Sequence, residues 1–203
     1  MDVLQLLTPG DVNDIDLVVF DLGGVLYNID FERTRSALAS LPGYNGIPVA
    51  FGVDDQDEVF LRIDRGELSD HAFYQALRER FGFTCSDEAI EAAWCAILIA
   101  PFADAAAWVA AISDLRPVVL LSNISNPHLR HALPHIESII APMQRAFYSC
   151  QIGLRKPDPA CFLHVTQTMG VRPERSVLLD DSSANCASAR GLGMRVVQVT
   201  REA

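Results

Sequence analysis

Basic side chains are scarce in this chain of 203 residues. It carries 16 lysines and arginines against 26 aspartates and glutamates, which gives a formal net charge of −10 at pH 7. Sequence-independent affinity for nucleic acids comes from clustered Lys and Arg side chains that neutralise phosphates. The composition therefore argues against a nucleic-acid partner, and an anionic ligand would need positive charge concentrated at one point.

The chain also lacks a long unbroken apolar run and a set of paired cysteines. Its most apolar stretch, residues 92–112, contains Pro101 and Asp104, so we expect a helix, a turn and a second helix there and no membrane span. The five cysteines include no C-x-x-C pair, and their odd number favours reduced thiols and a cytoplasmic location. The first residues show no basic segment followed by a long apolar core, so no secretory signal is expected.

Four short apolar runs stand out, and helical patterns separate each run from the next. Hydrophobic residues make up 50% of the chain and charged residues 21%, which fits a globular protein with one main core. Short runs that alternate with helices favour a parallel sheet covered by helices, an α/β fold of the Rossmann-like class. The runs are Leu17–Phe20, Val118–Leu121, Val177–Leu179 and Val196–Val199, with a weaker candidate at Ala146–Ser149.

Between the first run and residue 100 the strand signal disappears. Apolar residues recur there at helical spacing, and Ser69 and Ser86 are suited to cap two of the helices. We therefore divide the chain into an N-terminal extension (1–14), an α/β core (15–30 and 100–203) and a helical insert (31–99). The predicted helices of the insert are Arg33–Ser40, Asp57–Asp64, Ser69–Phe81 and Asp87–Ile99.

Polar side chains follow the first two runs directly. Asp21 comes after the first run and is followed by a glycine turn at Gly23 and Gly24. Ser122 and Asn123, a hydroxyl and an amide that can bind phosphoryl oxygens, come after the second run. Because the carboxyl ends of parallel strands share one edge of a sheet, we expect these groups to face a common site.

Two further elements bring charge to the same edge. Asp180 and Asp181 follow the third run, and adjacent carboxylates at a buried strand end repel each other unless a cation is present, which favours a hard divalent metal. Lys156 precedes a helix start at Asp158-Pro159, where an ammonium group can neutralise both a carboxylate and a phosphate. The four elements together predict a phosphate site with a metal.

These elements, in this order, resemble the haloacid dehalogenase superfamily, most of whose members are phosphatases. The resemblance extends over nearly the whole chain from about residue 15, and the helical insert is similar to the superfamily's cap module, which closes over the site. It implies that Asp21 attacks phosphorus and forms an aspartyl-phosphate, which water then hydrolyses. The resemblance further implies a phosphoryl group held by Ser122 and Lys156, substrate contacts from Asn123 and Gly24, and Mg²⁺ bound by Asp21, Asp181 and the carbonyl of Gly23, with Asp180 as a helper.

One position departs from the family pattern. Most phosphatases of the superfamily carry an Asp two residues after the nucleophile, which protonates the leaving group and later activates water; here that position is Gly23. Such a general acid is typically worth about 10²–10⁴ in rate. The variant Asp-Leu-Gly-x-Val is similar to a branch that includes bacterial α-D-glucose-1-phosphate phosphatases.

Three functions stay open on the sequence. The favoured one is a Mg²⁺-dependent phosphohydrolase of a small phosphorylated metabolite, with a sugar phosphate preferred, acting as a monomer or homodimer. A 2-haloacid dehalogenase also lacks the second Asp, but it needs no metal and leaves Asp180 and Asp181 without a purpose. The third is a non-catalytic module that binds a phosphorylated ligand.

The remaining polar residues are weaker candidates. We expect the histidines at 128, 131 and 135 to be exposed on the surface and Cys186 to be a small buried side chain. In the insert, five charged residues are candidates to reach a substrate: Asp30, Glu32, Asp64, Arg65 and Glu67.

Overall fold

The computed structural model describes residues 14–52 and 55–201. The predicted N-terminal extension therefore lies outside the described residues, apart from Asp14. The strands are β1 (Leu17–Phe20), β2 (Tyr27–Ile29), β3 (Leu98–Pro101), β4 (Val118–Ser122), β5 (Arg145–Tyr148), β6 (Ser176–Asp180) and β7 (Arg195–Gln198). The helices are α1 (Phe31–Ala39), α2 (Glu58–Asp64), α3 (Asp70–Phe81), α4 (Asp87–Trp94), α5 (Ala105–Ser113), α6 (Asn126–Ile140), α7 (Ser149–Ile152), α8 (Pro159–Thr168) and α9 (Ser183–Gly191), with short 3-10 helices at Cys95–Ile97 and Pro173–Arg175.

Five strands form one parallel sheet in the order β5-β4-β1-β6-β7. The central strand β1 pairs with both neighbours, so that Val18 lies opposite Val118 of β4 and Val177 of β6. All four predicted runs are strands of this sheet, and the weaker candidate is β5. The α/β class is confirmed, and the order places the carboxyl ends of β4, β1 and β6 side by side, where such folds bind ligands.

The sheet is buried on both faces because successive side chains of a strand point to opposite sides. In β1, Val18 and Phe20 pack into one apolar cluster with residues of α5 and α6. Leu17 and Val19 pack into a second cluster with residues of α8 and α9. All four β1 side chains have 0% exposure, which makes this strand a rigid support for the residue that follows it.

The helices between residues 31 and 94 pack around the indole ring of Trp94. This ring stacks on Phe60 at 5.0 Å between centroids and contacts Phe51 at 4.5 Å and Phe73 at 5.1 Å. The predicted caps are present, since the hydroxyl oxygens of Ser69 and Ser86 accept hydrogen bonds from the first turns of α3 and α4. The insert therefore has an apolar core of its own.

The segment after α4 differs from the expected helix. The predicted helix Asp87–Ile99 ends at Trp94, and residues 98–101 instead form β3, which pairs antiparallel with β2. The run 96–100 is apolar at every position, a pattern that does not separate a helix from a strand by local period alone. Pairing with β2, some 70 residues away in the chain, decides the outcome. Of the helix, turn and second helix predicted over 92–112, the second helix is present as α5, whereas the first ends at Trp94 and β3 precedes the turn. None of the helices in the described ranges is long and apolar enough to cross a membrane.

Trp94 also joins the insert to the core. Its Nε1–H donates to Ser125 Oγ at 3.0 Å, and its carbonyl oxygen lies 3.0 Å from Nε2 of His128. The imidazole of His128 stacks on the indole at 4.4 Å between centroids and is 6% exposed. The expectation that His128 lies on the surface was therefore wrong: an aromatic residue of the insert covers it.

Candidate active site

The four predicted elements meet at the carboxyl edge of the sheet. Asp21 follows β1, Asn123 follows β4 and Asp181 follows β6, while Lys156 lies on the loop before α8. These four residues line one cavity of about 420 Å³ between this edge and the insert. The cavity is thus open to groups from both parts of the chain.

Lys156 is buried between two carboxylates. Its Nζ lies 2.9 Å from Oδ1 of Asp21 and 2.7 Å from Oδ2 of Asp180, and the side chain is 1% exposed. Burial lowers the pKa of the ammonium group, but the charges of Asp180 and Asp21 outweigh burial, so that the pKa lies above its usual value. Lys156 is therefore held as a permanent cation at the centre of the site.

Asn123 fixes the backbone of Lys156. Its Oδ1 accepts from the Lys156 backbone N–H at 2.9 Å, and its Nδ2 donates to the Lys156 carbonyl oxygen at 2.8 Å. The amide that was expected to contact a phosphate is thus used to position the lysine loop. Ser122 lies at the end of β4 with 2% exposure and is not among the described residues that line the cavity.

The two adjacent aspartates have different surroundings. Asp180 is completely buried, and its oxygens bind Lys156 Nζ, the backbone N–H of Ser182 at 2.9 Å and Nδ2 of Asn185 at 2.9 Å and 3.1 Å. Asp181 lines the cavity and is exposed. The expected roles, Asp180 as helper and Asp181 as direct metal ligand, stay a prediction.

The turn after Asp21 brings Asp181 close to the backbone. Gly24 has φ +73°, in the left-handed region that favours glycine, and a Cβ at this position would overlap the carboxylate of Asp181. Oδ1 of Asp21 accepts from the backbone N–H of Leu22 at 2.6 Å. Burial raises the pKa of Asp21 well above its usual value, and repulsion from Asp180 and Asp181 opposes the lowering effect of Lys156.

The donor set fits a small hard cation. Ligand atoms from Asp21, Asp180 and Asp181 all lie within 4.8 Å of one another. Carboxylate oxygens are the ligands that Mg²⁺ prefers, and two of these three groups face the cavity. The raised pKa values of Asp21 and Asp181, in both cases caused first by burial and then by neighbouring carboxylates, indicate a surplus of negative charge that a cation would neutralise.

A second polar group, formed by Gln56, Asp64 and Arg155, lines the cavity on the insert side. Arg155 donates from Nη2 to Oε1 of Gln56 at 2.6 Å and from Nε to Oδ2 of Asp64 at 3.3 Å. Asp64 was one of five candidates in the insert, whereas sequence reasoning missed Gln56 and Arg155. The only signal for Arg155 was its place next to Lys156.

The other candidates of the insert do not line this cavity. Asp30 caps α1 by accepting from the backbone N–H of Glu32 at 2.8 Å, and Glu32 pairs with Arg35. Arg65 pairs with Glu58 and Glu67. Within the described residues, these four candidates therefore serve the insert itself.

Asp64 carries an unfavourable charge. Its side chain is 9% exposed, and burial raises its pKa to about 6 although Arg155 and Arg65 lower it. A carboxyl group with this pKa changes its protonation state close to neutral pH. It stands out among the acids of the insert, because Glu67 and Asp87 have lowered pKa values.

We expect Gly24→Ala to be more destabilising than Gly170→Ala. Both glycines have a positive φ, +73° and +67°, but only Gly24 has a neighbour that a methyl group would strike. The free energy of unfolding should fall by roughly 1–2 kcal/mol in Gly170→Ala because of the left-handed conformation. It should fall by about 1–3 kcal/mol more in Gly24→Ala because Asp181 must move. Urea denaturation of both variants measures this difference. Equal losses would show that Asp181 has free room.

We expect Asp64→Asn to gain stability relative to the wild type as pH rises. The folded-state pKa of about 6 lies above the ordinary value of 3.8, so the stability contributed by protonated Asp64 is present at low pH and is lost as pH rises through 6. The free energy of unfolding of the variant minus that of the wild type should grow by about 2 kcal/mol between roughly pH 4.5 and pH 8. Unfolding free energies of both proteins across this range test it, with Glu67→Gln as a control that should show no such gain.

Comparison with known proteins agrees with this architecture. A family model described as haloacid dehalogenase-like hydrolase matches residues 15–193. The D-ribitol-5-phosphate phosphatase of Bacteroides thetaiotaomicron is 26% identical over 89% of this chain and 90% of its own length. The 6-phosphogluconate phosphatase of Escherichia coli is 26% identical over 90% of this chain and 81% of its own length.

Solved structures show the same likeness. A haloacid dehalogenase family enzyme from Bacteroides thetaiotaomicron, crystallised with magnesium and inorganic phosphate, is 28% identical with a TM-score of 0.79 and covers 93% of this chain and 95% of its own. The L-2-haloacid dehalogenase of Xanthobacter autotrophicus shares the fold at 20% identity, with a TM-score of 0.65 over 93% of this chain and 79% of its own. With the family model matching most of its length, the chain belongs to the haloacid dehalogenase-like hydrolases.

Proposed function

We propose that the protein is a Mg²⁺-dependent phosphohydrolase that acts on a small phosphorylated metabolite through an aspartyl-phosphate on Asp21. The observation that carries the proposal is the placement of Asp21 at the cavity. Its described polar contacts, from Leu22 and Lys156, both fall on Oδ1. Among the described residues, Oδ2 is thus the oxygen left to attack phosphorus.

The charges around Asp21 suit phosphoryl transfer. In this reaction the protein mainly positions the group and neutralises the negative charge on its oxygens. Three carboxylates and one lysine leave the site with a surplus of two negative charges, so the site favours a dication, which Asp21, Asp181 and the carbonyl of Gly23 would hold. Bound Mg²⁺ would supply charge neutralisation for the phosphoryl oxygens. Lys156 lies within hydrogen-bond distance of Asp21 and can contact a phosphate that the carboxylate attacks.

The walls of the cavity suit a polyhydroxylated substrate. Phe31 and Phe51 offer apolar surface, while Gln56, Asp64 and Arg155 offer hydrogen-bonding groups. The relatives named for D-ribitol 5-phosphate and 6-phosphogluconate act on compounds of this kind. We infer a sugar or polyol phosphate as the substrate class, and we keep a cytoplasmic monomer or homodimer as the working form.

One assay tests both the metal dependence and the role of Asp21. Hydrolysis of p-nitrophenyl phosphate and of a panel of sugar phosphates is measured with Mg²⁺, with EDTA, and in Asp21→Asn. We expect phosphate release that needs Mg²⁺ and falls by about 10³-fold or more in the variant, because no carboxylate is left to form the phospho-enzyme. Asp16→Asn is the matched control, since Asp16 precedes the same strand at its other end and pairs with Arg175 on the surface.

The same assay separates the other functions. Chloride release from 2-chloropropionate without metal would replace the proposal by a dehalogenase. Binding of inorganic phosphate without turnover of any ester would replace it by a ligand-binding module. Full activity in Asp21→Asn would remove Asp21 from the mechanism.

A further inference from the structure

The position that usually carries the family's proton donor is a glycine here and lies next to an apolar side chain. A Cβ built on Gly23 lies 2.8 Å from Cδ1 of Ile29. Ile29 is the last residue of β2 and lines the cavity. The terminal methyl group of Ile29 therefore lies where a side chain at position 23 would begin, and because glycine has no side chain, the proton must come from elsewhere.

Few of the described side chains that line the cavity can exchange a proton near neutral pH. Asp21 and Asp181 belong to the nucleophile and the metal site of the proposed function. Lys156 is bound to two carboxylates that keep its proton in place. Nε2 of His128 lies 3.0 Å from the Trp94 carbonyl oxygen. Burial lowers the pKa of His128 to about 4, so the imidazole stays neutral and its one N–H proton is held in the hydrogen bond to Trp94. The carboxyl of Asp64 remains.

We propose that Asp64, from the insert, is the general acid and base of the reaction in place of the residue missing at Gly23. This inference rests on the proposed function, because it assigns a further catalytic residue to the same site. Asp64 ends α2 and lies in the same cavity as Asp21. Its partner Arg155 directly precedes Lys156, which contacts Asp21, so the two carboxyl groups are linked through consecutive residues of one loop.

Arg155 positions Asp64 through one carboxyl oxygen only. The described hydrogen bond between them involves only Oδ2 of Asp64, at 3.3 Å. Arg155 is itself fixed by Oε1 of Gln56 at 2.6 Å and by the carbonyl oxygen of Lys156 at 3.1 Å. A carboxyl group anchored on the cavity wall through one oxygen can present its other oxygen to a bound ester. Burial raises the pKa of Asp64 to about 6, against the effects of Arg155 and Arg65, and a pKa near the working pH favours both donation and uptake of a proton.

The proton balance closes over two steps. In the first, Oδ2 of Asp21 bonds to phosphorus, the bond from phosphorus to the leaving oxygen breaks, and protonated Asp64 gives its proton to that oxygen. In the second, water bonds to phosphorus, the bond to Asp21 breaks, and the carboxylate of Asp64 takes the proton that water loses. The ester and water become an alcohol and phosphate, and Asp64 regains its starting state.

A series of substituted phenyl phosphates tests this role. The leaving phenols range from p-nitrophenol, which leaves without a proton, to the weakly acidic p-methoxyphenol. In Asp64→Asn we expect kcat/KM to change by less than about threefold for the first ester and to fall by about 10–10²-fold for the last, because only the last needs a proton in the transition state. Glu67→Gln, which removes an exposed carboxylate three residues along the chain, is the control and should match the wild type across the series.

Several results would overturn the inference. A uniform loss across the series in Asp64→Asn would show a role in folding or substrate binding, and no loss at all would exclude Asp64. If the wild type hydrolyses no ester in the presence of Mg²⁺, the proposed function itself fails, so the two failures are distinguishable.

A measurement on the wild type alone gives a second test that needs no variant. The ratio of kcat/KM for the p-methoxyphenyl ester to that for the p-nitrophenyl ester should fall as pH rises through about 6, the value of the Asp64 pKa. The phosphate pKa of each ester is measured by titration, and each kcat/KM is corrected for the fraction of dianion before the ratio is taken. The groups that face Asp64 are Arg155, Arg65 and the Cys150 thiol, and burial and Asp64 raise the pKa of this thiol to about 11. A constant ratio between pH 5 and pH 8 contradicts the assignment.

Discussion

The site depends on one buried cation between two carboxylates. Removing an ammonium group and two carboxylates from water is expensive, and their attraction offsets the cost only if all three are held in close contact. The ends of β1 and β6 hold Asp21 and Asp180 in contact with Lys156. The amide of Asn123 holds the loop that carries Lys156. The position of Lys156 between the two carboxylates therefore depends on three features together: the strand order, the loop that carries the lysine and the polar contacts of Asp180. Asp181 lies outside this network and is free to serve a ligand.

Much of this centre was predictable from the sequence because it depends on local patterns and on one topological rule. Apolar runs predicted the strands, and the rule that parallel strands end at one edge brought Asp21, Asn123 and Asp181 together. The separate roles expected of Asp180 and Asp181 came from the resemblance to the family. The use of the Asn123 amide to hold the Lys156 backbone was not predictable, because it depends on how a loop 33 residues away in sequence returns to the sheet.

The contacts between insert and core were not predictable either. Sequence periodicity shows that a helix has an apolar face but not which surface that face meets. Burial of His128 depends on the ring of Trp94, and the pair of Asp64 with Arg155 joins residues 91 positions apart. The pairing of β2 with β3 belongs to the same class, since both strands are short and their local pattern also suits a helix. Each of these features is decided by tertiary packing.

A proton donor on the insert links chemistry to the position of the insert. An acid two residues after Asp21 would be fixed by the rigid strand β1, whereas Asp64 is placed by α2 and by the packing of the insert on the core. Trp94 fixes that packing through Ser125 and His128, and Arg155 ties Asp64 to the lysine loop. Ile29 lies beside Gly23, with its terminal methyl group where a side chain at residue 23 would begin. With Asp64 as the proposed proton donor, the reaction would depend on contact between insert and core.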